Sequence, residues 1–223
     1  MKTKKNDKIL FDLEAGYDQI AEKFSQTRNF FWRDFEFLER YVFEKDYVLD
    51  FGCGNGRLAK FLESKNIKYF GVDVSQKLIN IAQKRYPREK FSKINRQDSL
   101  AFNDNFFNKI FSIAVFHHFP PTIASFWAKE LKRVLKCGGT MIITVWNLKQ
   151  GGYFIPDKKS NRKVFYIPFK DNQGNVFKRY HYVYSLEELS KIFFDCGFGI
   201  KEKFIHNEKN LILIVQKRRV INK

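Results

Sequence analysis

The stretch that decides the fold is Tyr47-Val48-Leu49-Asp50-Phe51-Gly52-Cys53-Gly54-Asn55-Gly56. Its first five residues form a short, largely apolar run, as a strand buried on both faces requires. The glycines that follow permit positive φ and let the backbone come close to a ligand. Residues 58–64 read as a helix, whose first N–H groups would face whatever the loop holds.

Working outward, strands and helices alternate. Residues 69–72 read as a second strand, Ser75 as the cap of a helix running to Arg85, residues 90–94 as a weaker third strand and residues 109–116 as a nearly all-apolar fourth. Residues 121–135 form an amphipathic helix, stopped by Gly138-Gly139, and residues 140–146 a fifth strand. Such alternation predicts an α/β fold: a Rossmann-like, mostly parallel sheet with right-handed crossovers and helices on both faces. Upstream, residues 12–41 are helical, with Tyr17, Ile20, Ala21 and Phe24 at helical spacing and a second stretch from Trp32 to Tyr41. Downstream, Ser185-Leu186-Glu187-Glu188 is a capping box. Its helix ends near Gly197, and residues 198–204 and 211–215 read as an antiparallel strand pair. The expected organisation is a single domain, 1–223. It comprises an N-terminal helical lid (1–44), a core (45–146), an insert without clear period (147–184), and a C-terminal helix and strand pair (185–223). The basic tail Lys217-Arg218-Arg219 is expected to fray.

The loop's spacing argues about its ligand. A dinucleotide loop reads G-x-G-x-x-G and cradles a pyrophosphate, whereas this one reads Asp-x-Gly-x-Gly-x-Gly. An acid at the first position repels pyrophosphate and suits a ligand with an ammonium group. The second strand ends at Asp73-Val74, where an acid commonly binds ribose hydroxyls. The third is followed by Gln97-Asp98-Ser99, where an acid can accept from an adenine amino group. S-adenosylmethionine (SAM) carries the ammonium, a carboxylate, a ribose and an adenine. The competing account makes each acid a turn residue or a helix cap.

Composition sets wider bounds. The 223 residues are 44% hydrophobic, and Lys and Arg exceed Asp and Glu by 17 charges. The length suits one α/β domain. No apolar run approaches the roughly 20 residues of a membrane span, and the start lacks a signal-peptide pattern, so a cytoplasmic protein is expected. Cys53, Cys137 and Cys196 are scattered, without a C-x-x-C pair, which gives no zinc or redox motif and no expected metal. The charge favours a polyanionic partner; the alternative is a compositional habit, to which the 26 phenylalanines also belong.

Residues 50–56, Asp73, Asp98 and the turn Arg133-Val134-Leu135-Lys136-Cys137-Gly138-Gly139 resemble class I SAM-dependent methyltransferases. A narrower resemblance runs through Tyr17-Asp18-Gln19-Ile20-Ala21, Phe24-Ser25-Gln26-Thr27-Arg28, Trp32, Phe116-His117-His118, Val145-Trp146, Arg179-Tyr180-His181-Tyr182 and residues 185–189. These are similar to the tRNA wobble-uridine carboxymethyl methyltransferases. The chain departs from that family at Ile123-Ala124-Ser125-Phe126, where paired arginines are usual, and at Cys137, where a proline is. Bacterial enzymes acting on carboxymethoxyuridine do similar chemistry. The resemblance implies SAM as cofactor, tRNA as partner through its anticodon loop, and a small activating partner protein. It implies cofactor contacts from Tyr17, Asp50, Gly52, Gly54, Asn55, Gly56, Asp73, Val74, Asp98, Ser99 and Phe116.

A carboxymethyl acceptor is already ionised at neutral pH and needs no general base. Arg28 is the candidate cation for it, since a guanidinium fork fits a carboxylate; a surface ion pair is the other account of Arg28. His117 and His118 are candidates to orient the acceptor, His117 foremost, and His117 becomes a general-base candidate if the acceptor is a hydroxyl or amine. Trp32, Trp146, Arg179, Tyr180 and His181 are the expected substrate contacts. In the insert, Tyr153, Phe154, Phe165, Tyr166, Phe169, Phe177, Tyr180 and Tyr182 interleave with Lys158, Lys159, Arg162, Lys163, Lys170, Lys178 and Arg179. Such a segment can stack unpaired bases and track phosphates, or can fill a small core of its own. Two other functions remain open: methylation of a small carboxylic acid, quinone or amine, and a non-catalytic SAM- or RNA-binding subunit.

Overall fold

The computed structural model describes residues 4–95, 98–149 and 162–218. Gln97, Tyr153, Phe154, Lys158, Lys159 and Arg219 therefore lie outside the described residues. Strands β1 (Tyr47–Phe51), β2 (Lys68–Asp73), β3 (Lys90–Lys93), β4 (Phe107–Ile113), β5 (Leu135–Trp146), β8 (Phe198–His206) and β9 (Asn210–Lys217) form one sheet in the order β3-β2-β1-β4-β5-β9-β8. The pairs β1–β2, β2–β3 and β4–β5 are parallel, and β9 runs antiparallel to both β5 and β8. Helices α2 (Arg57–Phe61), α3 (Gln76–Arg85) and α4 (Pro121–Val134) make the connections between parallel strands, and α5 (Leu186–Asp195) precedes β8. β6 (Val164–Lys170) and β7 (Val176–Tyr182) form a separate two-stranded sheet. No helix among the described residues is long and apolar enough to cross a membrane.

The chain divides into two compact units, Met1–Asp98 with Tyr166–Tyr180, and Ser99–Phe165 with His181–Lys223. In the first, helix α1 (Lys4–Gln26) buries Ile9, Leu10, Leu13, Ile20 and Ala21 and packs against α3. Its spacing thus serves an amphipathic face. The helix starts eight residues before the sequence suggested, because Ile9 and Leu10 extend the same buried stripe. The stretch after Trp32 is a 3₁₀ helix, Arg33–Tyr41, anchored by buried Phe35 and Leu38. Ser75 caps α3 by accepting from the Leu78 amide at 3.2 Å.

In the second unit, the apolar run of β4 stops at Ile113, because Ala114 takes a left-handed φ of 59°. The Ala114 amide is held there by the Thr144 carbonyl and hydroxyl, both at 3.0 Å. The glycine pair does not stop α4. The helix ends at Val134, and β5 already begins at Leu135 and runs through Gly138 and Gly139. Arg133, in the same motif, is structural: it donates to the Leu100 and Phe102 carbonyls and pairs with Glu130 and Asp104. Ser185 caps α5 by accepting from the Glu188 amide, but the Glu188 carboxylate accepts from Tyr182 and Lys163. Lys217 belongs to β9, and its ammonium donates to the Leu135 carbonyl at 2.8 Å, so this part of the tail does not fray.

Candidate active site

In the first unit the loop after β1 has the conformation its glycines allow. Gly52, Gly54 and Gly56 have φ of 78°, 56° and 80°, values that side-chain-bearing residues rarely adopt. Asp73, at the carboxyl end of β2, fixes the loop from outside. One carboxylate oxygen accepts from the Gly54 amide and the other from the Ser75 amide, both at 2.9 Å. Burial raises the Asp73 carboxyl above its ordinary value, against those amide bonds. Val74, beside it, is half-buried.

Asp50 is buried within β1 and accepts from the Tyr69 hydroxyl at 2.6 Å. Burial, reinforced by Asp73 and opposed by the Tyr69 hydrogen bond, raises its carboxyl to about 7. A cationic ligand group is what would restore its charge. Asn55 is buried too. Its amide nitrogen donates to the Ser25 hydroxyl and the Arg28 carbonyl, which ties the loop to the end of α1. Its side-chain oxygen accepts no hydrogen bond among the described residues. A buried acceptor left open costs free energy unless a donor arrives, so the loop fits an amino- or hydroxyl-bearing ligand. These features match SAM: an acid for its ammonium, an open acceptor, and a loop without the dinucleotide spacing.

Tyr17 is half-buried and meets Phe24 edge-on, with ring centroids 5.7 Å apart. Arg28 lies over Phe24 at 4.6 Å and Phe169 at 5.3 Å from the ring centroids, and Arg179 lies 5.2 Å from the same Phe169. Arg179 is buried on β7. Burial, then repulsion from Arg179, lowers the Arg28 pKa. Among the described residues no carboxylate pairs with Arg28, whose guanidinium donates to Thr27. Tyr180 is buried, and its hydroxyl is pushed up to about 12 by that burial. Asp98 is exposed at the end of this unit. Arg57, which the sequence reading passed over, lies over Trp32 with its guanidinium carbon 3.6 Å from the ring centroid. Its signal was visible as a basic residue directly after Gly56.

In the second unit, Ser99 is exposed. The turn at Ala114 leads into a 3₁₀ helix, Phe116–His118, at the carboxyl end of β4. Phe116 is fully buried against Phe119 and Phe193. His117, His118 and His181 are all buried and cluster, with mutual ring distances of 4.4 to 5.0 Å. Trp146 stacks on His181 at 5.3 Å and flanks His117 at 4.8 Å. The possible ligating atoms of the three histidines lie within 4.8 Å of one another. However, the Trp146 amide donates to His117 Nδ1 at 3.2 Å. That bond takes the Nδ1 lone pair and places the proton on Nε2. His117 then offers a donor at Nε2, and that nitrogen cannot ligate a metal while the bond stands.

The insert is not irregular where it is described. It forms the β6–β7 hairpin, with Asp171 organising the turn by accepting from the Gln173 and Asn175 amides. Its aromatics divide: Phe165 is buried, Phe177 packs on Gly16 of α1, and Tyr166 is 57% exposed. Lys170 and Lys178 are exposed, while Lys163 pairs with Glu188.

Known proteins agree with this reading. Residues 49–143 match the family described as a methyltransferase domain. A protein of Encephalitozoon cuniculi named as a methyltransferase is 31% identical over 213 residues, covering 90% of this chain and 93% of its own length. The tRNA (carboxymethyluridine(34)-5-O)-methyltransferase of Schizosaccharomyces pombe is 27% identical, covering 83% of this chain and 88% of its own. Among solved structures, a chain from the complex between the Haloferax volcanii Trm112 methyltransferase activator and a methyltransferase aligns with a TM-score of 0.69 at 18% identity. That alignment covers 95% of this chain and 100% of the other. With the glycine loop, the paired acids and the sheet order in place, this chain belongs to the class I SAM-dependent methyltransferases.

Proposed function

We propose that this methyltransferase esterifies the carboxylate of a carboxymethyl-type modified wobble uridine in tRNA. The observation that carries the reading is the pair Arg28 and Arg179, whose guanidinium carbons lie 5.3 and 5.2 Å from the Phe169 ring centroid, the charge of Arg179 disfavouring that of Arg28. Two guanidinium groups facing one ring present converging positive charge and planar donor forks, which suit an anionic carboxylate. The net charge of +17 suits an RNA carrier for the anion, and the named activity of the fission-yeast relative is of this kind. A small activating subunit, like the Trm112 in the Haloferax volcanii complex, belongs to the proposal as partner.

When bound, SAM supplies an electrophilic methyl group on sulfur. Transfer to the acceptor oxygen would form the oxygen–carbon bond as the carbon–sulfur bond breaks. The products are the methyl ester and S-adenosylhomocysteine, and no proton moves. The protein must therefore orient the carboxylate and exclude water, effects worth up to about 7–11 kcal/mol. Arg28 and Arg179 hold the carboxylate, and His117 donates from Nε2 to the acceptor nucleoside. Asp50, Asn55 and Asp73, with Asp98 and Ser99 beyond β3, hold the cofactor. Trp32, Trp146, Tyr180 and His181 complete the proposed substrate contacts.

The test is transfer of labelled methyl to tRNA carrying 5-carboxymethyluridine, with and without a Trm112-type subunit, followed by mild alkali and nucleoside mass spectrometry. Label in the carboxymethylated uridine that leaves with alkali supports the proposal. Alkali-stable label moves the acceptor to nitrogen, carbon or ribose. Absence of label in both assays, while small carboxylic acids are methylated, overturns the RNA assignment.

A further inference from the structure

We propose that Arg57 is a cofactor-recognition residue that binds the carboxylate of SAM's methionyl end. Four observations support it. Arg57 immediately follows Gly56, so the conformation of the glycine loop sets its position. Its guanidinium carbon lies over the Trp32 ring, 3.6 Å from the centroid, which holds the group in place. It is half-buried, and its guanidinium takes part in no hydrogen bond or ion pair among the described residues. Five donors there await an acceptor. Its electrostatic neighbours are Arg28, Asp50 and Tyr17. The loop and the residue after it thus carry one buried acid, Asp50, and one half-buried cation, Arg57, which complement the ammonium and carboxylate of an amino acid.

The backbone N–H groups here carry partial charge only. Helix α2 runs only from Arg57 to Phe61 before a 3₁₀ turn, too short to develop a macrodipole. Burial and repulsion from Arg28 lower the Arg57 pKa to about 10. The group stays charged at neutral pH, and a bound carboxylate relieves both penalties. The assignment separates two anions. Arg57 takes the cofactor's carboxylate, which leaves Arg28 and Arg179 for the acceptor. It rests on SAM being the cofactor and does not depend on which acceptor is methylated.

Calorimetric affinities for SAM and for decarboxylated SAM, which lacks only that carboxylate, test the inference without turnover. Wild-type protein should prefer SAM. Arg57→Ala should weaken SAM by roughly 10- to 100-fold, leave decarboxylated SAM unchanged and so abolish the preference. Arg57→Lys should keep part of it, and Arg28→Ala should keep all of it. Equal weakening of both ligands by Arg57→Ala would mark a structural role and overturn the inference. So would a preference that survives Arg57→Ala, or one that vanishes in Arg28→Ala. Loss of tRNA affinity with SAM affinity intact would instead assign Arg57 to an RNA phosphate. A wild-type protein that binds neither ligand would overturn the cofactor assignment itself, not the choice of Arg57.

Discussion

The amide of Trp146 donates to Nδ1 of His117 at 3.2 Å, so the last residue of β5 sets the protonation of the histidine that follows β4. Because the donor is backbone, no substitution at position 146 removes it short of proline. Trp146 adds its ring on the flank of the imidazole. The residue pair thus fixes both tautomer and ring plane, as second partners do for working histidines elsewhere.

From this follows the first prediction. His117→Ala should lower kcat by roughly 10- to 100-fold, the worth of one hydrogen bond to a charged or polarised acceptor. Affinity for S-adenosylhomocysteine should not change. Nitrogen-resolved NMR of the wild type should show the His117 proton on Nε2. A proton found on Nδ1 would break the argument at its root.

How far the sequence reveals the molecule varies by element. β1, the glycine loop and the Ser75 cap are legible because each rests on a local signal: an apolar run, positive φ, a hydroxyl three residues before an open amide. The end of β4 is not, because Ala114 adopts a left-handed conformation that only the distant Thr144 explains. The Gly138-Gly139 pair misleads for a similar reason. Glycine tolerates a strand with an irregular register, and β5 pairs with β4 across such a shift. Helix α4 ends before that pair is reached. The β6–β7 hairpin escapes because its alternation is interrupted by Pro168 and by a buried charge, Arg179, in a run of three consecutive buried residues. Asp50 and Asp73 are legible as acids at strand ends, but their binding of Tyr69, Gly54 and Ser75 is tertiary information. Arg57 required the position of Trp32, 25 residues earlier.

A second prediction concerns Gly16, in the middle of α1. A Cβ built there collides with the ring of Phe177 on β7. Elsewhere in a helix, Gly→Ala stabilises by about 1 kcal/mol; here overpacking of about 1–3 kcal/mol opposes it. Gly16→Ala should therefore lower Tm by several degrees in wild type, while in a Phe177→Ala background it should raise it. If Gly16→Ala stabilises the wild-type chain, α1 does not bear on the hairpin this closely.

Arg28 and Arg179 give a third. Arg28→Ala should cut kcat/KM for carboxymethylated tRNA by about 100-fold while the dissociation constant for S-adenosylhomocysteine stays within error. Arg28→Lys should recover little, since a point charge does not reproduce a planar fork. The double variant with Arg179→Ala should lose less than the sum of the single losses, because both serve one anion. Strict additivity in the double-mutant cycle would show that the two act on different groups.

The fourth follows from Asp50. Burial raises its carboxyl from the ordinary 3.8 to about 7. For an acid shifted upward, the protonated form is the one favoured in the folded state. The stability penalty of its charge is absent below about 4, grows between 4 and 7, and is full above 7. Bound SAM should reverse the preference, since its ammonium favours the carboxylate and draws the pKa down. Binding must then release a proton at any pH between the bound and free values. Affinity for S-adenosylhomocysteine should fall by about tenfold per unit as pH drops below 7 and level off above it. Calorimetry in buffers of different ionisation enthalpy should detect close to one proton released at pH 6. Asp50→Asn should bind weakly with a flat profile over the same range. Wild-type affinity that stays constant from pH 5.5 to 8 would mean that Asp50 does not meet the ammonium, and the cofactor's amino group would have to be sought at the open oxygen of Asn55.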